Sequence, residues 1–143
     1  MTMNYKAHIS NNEEEASYIR KKLIEFNTNF IPKDDYERIT ITLKDEQGHI
    51  VGGLLAVIEW QSLHIDVLWV DNSLRGEGQG KKLVSIAEKI ASEKGCTLIK
   101  LDTFSFQALE FYQKLGYEVF GELKDFPAGH TQYYLYKRVE PVL

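Results

Sequence analysis

The residues best placed to do chemistry lie in one short stretch, Val70-Asp71-Asn72-Ser73-Leu74-Arg75-Gly76-Glu77-Gly78-Gln79-Gly80-Lys81. An apolar, strand-like run ends at Val70, Gly76, Gly78 and Gly80 follow, and a helical pattern begins. A helix opening from such a turn leaves its first backbone N–H groups without acceptors at the positive end of its dipole, which makes an anion site. Glycine matters because a phosphate approaches backbone amides only where no side chain intervenes. Two phosphate loops fail on inspection. A Walker A loop needs glycine at 75 and Ser or Thr at 82, where Arg75 and Lys82 stand. A dinucleotide fingerprint starting at Gly76 needs a glycine at 81, where Lys81 stands. What survives is Arg-x-x-Gly-x-Gly, filled by Arg75, Gly78 and Gly80.

A second informative stretch runs from Ser105 through Phe106, Gln107, Ala108 and Tyr112 to Gly116 and Tyr117. Read as a helix over residues 105–115, it puts Phe104, Ala108, Phe111 and Leu115 on a core-facing stripe. Ser105 and Tyr112 then lie nearly above one another at the stripe's edge. An edge tyrosine can bury its ring and keep its hydroxyl in a cleft. On the strand before the glycine turn, His64 and Asp66 are two residues apart and share a face, which makes them candidates to take a proton; Glu59 is a third. His130, Phe126 and Trp60 could line a substrate mouth, and His49 sits in a hairpin turn. The four histidines are scattered and no HExxH occurs, so no metal site is expected.

Together the two stretches resemble the GNAT N-acetyltransferases. Arg75, Gly78 and Gly80 match that family's pyrophosphate loop, preceded by Leu68-Trp69-Val70 as its fourth strand. Ala108, Tyr112 and Gly116 match its Asn-x-x-Ala-x-x-x-Tyr-x-x-x-Gly-Phe segment, with Tyr117 for Phe and Ser105 for Asn. Asn72 stands where the family often has proline. The resemblance covers essentially the whole chain and implies acetyl-CoA as cosubstrate. Arg75, Gly76, Glu77, Gly78, Gln79, Gly80 and Lys81 would cradle the pyrophosphate. Leu68, Trp69 and Val70 would flank the thioester, with backbone N–H groups near Leu68 and Val70 polarising its carbonyl at a strand bulge. Ser105 would contact the cofactor, and Tyr112 would act as general acid. The reaction implied is direct attack of an amine on the thioester in a ternary complex, with His64 or Asp66 clearing the amine's proton. The acceptor stays open among polyamines, antibiotics, amino acids and protein amines. Two rival readings are a non-catalytic acyl-CoA-binding or sensing module and a P-loop-like nucleotide binder. A homodimer is common among similar proteins.

These residues need positioning by a folded scaffold. The 143 residues suit a single domain over 1–143, and a chain of this size buries roughly 70% of its unfolded surface without disulfide or metal. Residues Met3–Ile9 read as a first strand. Asn12 and Glu15 read as a cap opening an amphipathic helix over 13–27 with Ala16, Ile19, Leu23 and Phe26 on one face. Strands follow at Arg38–Lys44, Ile50–Glu59 and Leu63–Val70. A helix from Gly80 carries Leu83, Val84, Ala87, Ile90 and Ala91 to a stop at Gly95. Leu98–Leu101, Tyr117–Leu123 and Thr131–Arg138 complete about seven strands. The expectation is a mixed α/β (α+β) protein, a mostly antiparallel twisted sheet flanked by helices. The lone cysteine, Cys96, reads as core. With 17 basic and 21 acidic residues, no basic run and no long apolar stretch, nucleic acid and membrane are not expected partners, and a cytoplasmic location is the plain expectation.

Overall fold

The computed structural model describes residues 3–31 and 35–142. The backbone separates into two compact units, Met1–Asp34 and Asp35–Leu143. The first contains α1 (Glu13–Asn27). Its start is built as the sequence suggests: the Glu15 N–H donates to Asn12 Oδ1 at 2.9 Å, and Glu13, Glu14 and Glu15 occupy the first turn. Residues 3–12 carry no strand, so the segment Met3–Ile9 corrects the count. Alternation gives a segment a strand's pattern, but a strand exists only where a partner completes its ladder.

The second unit holds one sheet of six strands: β1 (Glu37–Lys44), β2 (Ile50–Glu59), β3 (Ser62–Val70), β4 (Leu98–Phe104), β5 (Glu118–Lys124) and β6 (Thr131–Arg138), in the order β1-β2-β3-β4-β6-β5. All neighbours are antiparallel except β3 and β4. The parallel pair requires a crossover, supplied by α2 (Gln79–Glu93), which lies against β2, β3 and β4. Leu83, Val84, Ala87 and Ala91 of α2 are buried against Leu54, Ala56 and Ile58 of β2, Leu63 and Ile65 of β3, and Ile99 and Leu101 of β4. Leu135 of β6 and Cys96 are wholly enclosed in the same core. Lys137 Nζ reaches from this face of β6 to the Leu115 carbonyl and to Glu88 on α2, both at 2.9 Å. Glu88 also accepts from the Tyr117 hydroxyl at 3.0 Å. Among the described residues no helix is long and apolar enough to cross a membrane.

The helix expected over 105–115 is shorter. α3 covers Leu109–Lys114, and residues 105–108 form turns. Hydrogen bonds made outside a helical ladder hold them out of the helix. Ser105 is tied to β6 twice, its N–H donating to the Thr131 carbonyl at 2.8 Å and its Oγ accepting from Thr131 N at 3.1 Å. Gln107 Oε1 takes the Phe104 N–H at 2.9 Å. The local Gln107 bond, together with the two long-range bonds to Thr131, offers the backbone an alternative to a helical turn.

Candidate active site

The site begins as a fork between two strands. β3 and β4 pair from Ser62↔Leu98 to Ile65↔Leu101 and no further, although β3 continues to Val70 and β4 to Phe104. On the β3 side the cause is a bulge. Val67 pairs Leu55 and Ile65 pairs Ala56, so Asp66 is an extra residue with no partner in β2. An inserted residue bends its strand and increases the local twist. On the β4 side the chain is drawn toward β6, paired through Phe104↔Gln132.

Beyond the bulge, β3 has a bare edge. Asp71 N–H donates to the Val51 carbonyl of β2 at 2.8 Å. Backbone groups alternate sides along a strand, so the amides of Val70 and Leu68 point away from β2 and toward the gap. Two donors spaced along that edge are the arrangement that polarises a carbonyl inserted into the fork.

The fork opens on a cleft of about 790 Å³, lined along β3 by Leu68 and Val70. Its far wall is the turn into α2. Gly76 and Gly78 adopt the left-handed backbone with φ of 83° and 76°, which a side chain would strain. Gly78 caps α2 with no side-chain bond. Among the described residues, the amides of Gly76, Gly78, Gln79, Gly80 and Lys81 have no backbone acceptor, whereas Lys82 N bonds to the Gly78 carbonyl. Five free N–H groups at a helix start, with Arg75 in the same lining, are an arrangement able to receive a diphosphate. Gln79 Oε1 is buried without a hydrogen-bond partner among the described residues. A buried acceptor left open in a ligand cleft awaits a donor. These groups fit coenzyme A.

Of the eleven residues expected around the cofactor, nine line this one cleft: Leu68, Val70, Arg75, Gly76, Gly78, Gln79, Gly80, Lys81 and Ser105. Trp69 and Glu77 do not. Trp69 alternates with Leu68 and Val70, so its ring stands on the other face of β3, half-exposed. Ser105 reaches the cleft from the turn, not from the helix face shared with Tyr112, because Thr131 holds it there. Tyr112 itself is 5% exposed, its ring edge-on to Phe111 at 5.1 Å and to Tyr117 at 5.8 Å. Phe111 lines the cleft while Tyr112 belongs to the core. Burial, and then the nearby Asp102 carboxylate, push the Tyr112 phenol up to about 12. Its hydroxyl has no hydrogen-bond partner among the described residues. His64 Nε2 lies 3.3 Å from Asp66 Oδ1, but neither lines the cleft.

A protein-family model described as the acetyltransferase (GNAT) family matches residues 6–117. The chain belongs to that family. It is therefore an acetyl-CoA-dependent acyltransferase. Blasticidin-S acetyltransferase of Streptomyces morookaense is 42% identical over 95 residues, covering 66% of this chain and 70% of its own. A crystal structure of an acetyltransferase from Bacillus cereus is 44% identical, covers 93% of this chain and 98% of its own, and superposes with a TM-score of 0.85. An aminoglycoside 6′-N-acetyltransferase crystallised with coenzyme A shares the fold, with a TM-score of 0.64 at 23% identity over 85% of this chain and 81% of its own.

Within this GNAT scaffold, sequence reasoning named Gln107 without giving it a role and passed over Tyr133, and both also line the cleft. It also passed over Asp102, whose Oδ2 accepts from Gln132 Nε2 at 2.9 Å, while Gln132 Oε1 accepts from the Tyr134 hydroxyl at 2.9 Å. The available signal was polar residues at Asp102 and Gln132 inside strand patterns, where a solvated face is the ordinary explanation.

Proposed function

We propose that this protein, read as one catalytic domain, transfers the acetyl group of acetyl-CoA to a primary amine of a small molecule or peptide by direct attack in a ternary complex. The observation that carries the reading is the convergence on one cleft of five free amides at the α2 start and two on the bare edge of β3. The first set suits the diphosphate. The second suits the thioester carbonyl, where negative charge grows during attack. Holding both reactants in one fork converts an encounter into an effectively intramolecular step.

In that step the neutral amine nitrogen forms the new C–N bond at the carbonyl carbon, and the C–S bond breaks. The nitrogen loses a proton and the departing sulfur gains one or is stabilised by a hydrogen bond. The Tyr112 hydroxyl is the donor we assign to the sulfur. His64 and Asp66, at the bulge, are candidates for the amine's proton. The relative that acetylates blasticidin S supports a small-molecule acceptor. The test is a panel of amines scored by CoA release, alongside CoA affinity in Gly80→Val. A valine Cβ at position 80 would lie 3.3 Å from Phe111 Cζ and set two methyls beside the free amides. A folded Gly80→Val protein with wild-type CoA affinity would remove the cradle assignment.

A further inference from the structure

Asp66 and Asp102 are the first residues on their strands past the last β3–β4 pair, Ile65↔Leu101. They therefore flank the crotch of the fork. Ile99, Leu101 and Thr103 of β4 are buried on the α2 side, so Asp102 and Phe104 stand on the opposite face. That face carries Gln132 and Tyr134 of β6, paired with Phe104 and Asp102 respectively. Asp102 is unlike a solvated surface carboxylate. Gln132, only 9% exposed, donates to it, and Gln132 is held in turn by Tyr134. A side-chain relay of this kind fixes a carboxylate's direction while leaving its second oxygen open.

Two further observations point to a ligand here. The Tyr112 ring is buried, yet its hydroxyl lacks a partner among the described residues and is not among the enclosed polar atoms, which leaves it open to a ligand, with the Asp102 carboxylate nearby. The second observation is aromatic. Phe104 stacks on Phe106 with centroids 5.5 Å apart and planes 9° from parallel, and meets Phe126 at 5.9 Å. Phe106 meets His130 edge-on at 4.8 Å. Phe106 and Phe126 are nonetheless 57% and 48% exposed. This open platform begins two residues from Asp102, roughly 7 Å along the strand.

Resting on the acetyl-transfer reading, we propose that the acceptor is a primary alkylamine bearing a planar ring, its ammonium received by Asp102 and its ring by the Phe104–Phe106–Phe126 platform. The roughly 7 Å spacing fits a ring joined to the nitrogen through two or three carbons. A carboxylate aligned on the ammonium holds the nitrogen at the fork, and deprotonation there leaves the lone pair facing the thioester. Asp102 thereby sets acceptor affinity, and the platform sets preference among amines.

The experiment compares tryptamine, phenethylamine and n-butylamine as acceptors by CoA release, and titrates tryptamine into CoA-saturated protein by two-dimensional NMR. The wild-type protein should prefer tryptamine to n-butylamine by about tenfold in kcat/KM, the scale of a stacked ring. Asp102→Asn keeps the shape and the Gln132 contact but removes the charge. It should raise acceptor KM about 10- to 100-fold, as expected for a lost charge-assisted hydrogen bond, with CoA affinity unchanged. Tyr134→Phe, which only loosens the carboxylate, should give a smaller rise in the same parameter. Phe106→Ala should lower kcat/KM for tryptamine about threefold more than for n-butylamine. Equal use of n-butylamine and tryptamine, or a folded Asp102→Asn protein with wild-type acceptor KM, overturns the inference while acetyl transfer stands. If no amine releases CoA, the transfer reading fails; the titration then still decides the inference, through shifts at Phe106 and Asp102 or their absence.

Discussion

Replacing Tyr112 by phenylalanine tests the proton donor most directly, because the ring and its contacts with Phe111 and Tyr117 survive while the hydroxyl goes. The phenol's pKa is about 12, against about 8.5 for an ordinary thiol. Complete transfer of its proton to a free thiolate would be uphill by roughly 3.5 units, or about 5 kcal/mol. The hydroxyl therefore acts chiefly as a hydrogen-bond donor to charge growing on sulfur. Such a bond to a charged acceptor contributes about 1.5–3 kcal/mol. That range sets the expected loss at about 10- to 150-fold in kcat, with CoA affinity close to wild type. Single-turnover mixing of acetyl-CoA-loaded protein with excess amine measures the chemical step free of product release. A Phe variant whose single-turnover rate stays within twofold of wild type refutes the reasoning, and the sulfur's proton then comes from solvent.

The same phenol affects stability in alkali. Its folded pKa of about 12 lies above the unfolded value near 10, so its contribution is full below pH 10 and is lost as pH rises through 12. The loss amounts to about 3 kcal/mol, in the same direction as that of Tyr117, which burial and Glu88 also hold up; urea midpoints from pH 9 to 12 should fall less steeply in Tyr112→Phe. Gly78→Ala places a side chain at φ 76° and should cost about 1–2 kcal/mol by denaturant unfolding, besides weakening CoA binding by calorimetry. Leu135→Ala opens a cavity where the side chain is wholly buried and should cost about 2–5 kcal/mol at unchanged m-value. Lys137→Met strips Glu88 of its cation and the Leu115 carbonyl of a donor, and should cost about 1–3 kcal/mol by the same measurement.

The sequence made much of this arrangement legible wherever the signal was periodic or stereochemical. The stripe Leu83, Val84, Ala87, Ala91 located α2 and its buried face, and the spacing of Gly76, Gly78 and Gly80 marked the loop that leaves its amides free. What stayed hidden depended on tertiary hydrogen bonds. Ser105 looked like a helix residue because nothing local reveals that Thr131, far along the chain, holds it. Asp102 drew no attention because its orientation comes from Gln132, a neighbour only through strand pairing. Trp69 carried the right position in the strand but the wrong parity. The fork itself could be expected only through resemblance, since no residue pattern states where two strands stop pairing.

The bulge at Asp66 has a consequence for how this catalyst can be gained or lost. Before it, the odd-numbered Leu63 and Ile65 face the core; after it, the even-numbered Leu68 and Val70 do. Deleting Asp66 would restore strict alternation from Leu63 to Val70 without displacing one apolar side chain from the interior. Such a strand would lose the bend that turns it away from β4, leaving only the pull of β6 on β4 to hold the fork open. A single residue thus carries the bend on the β3 side of the fork, and it does so without a place in the apolar core.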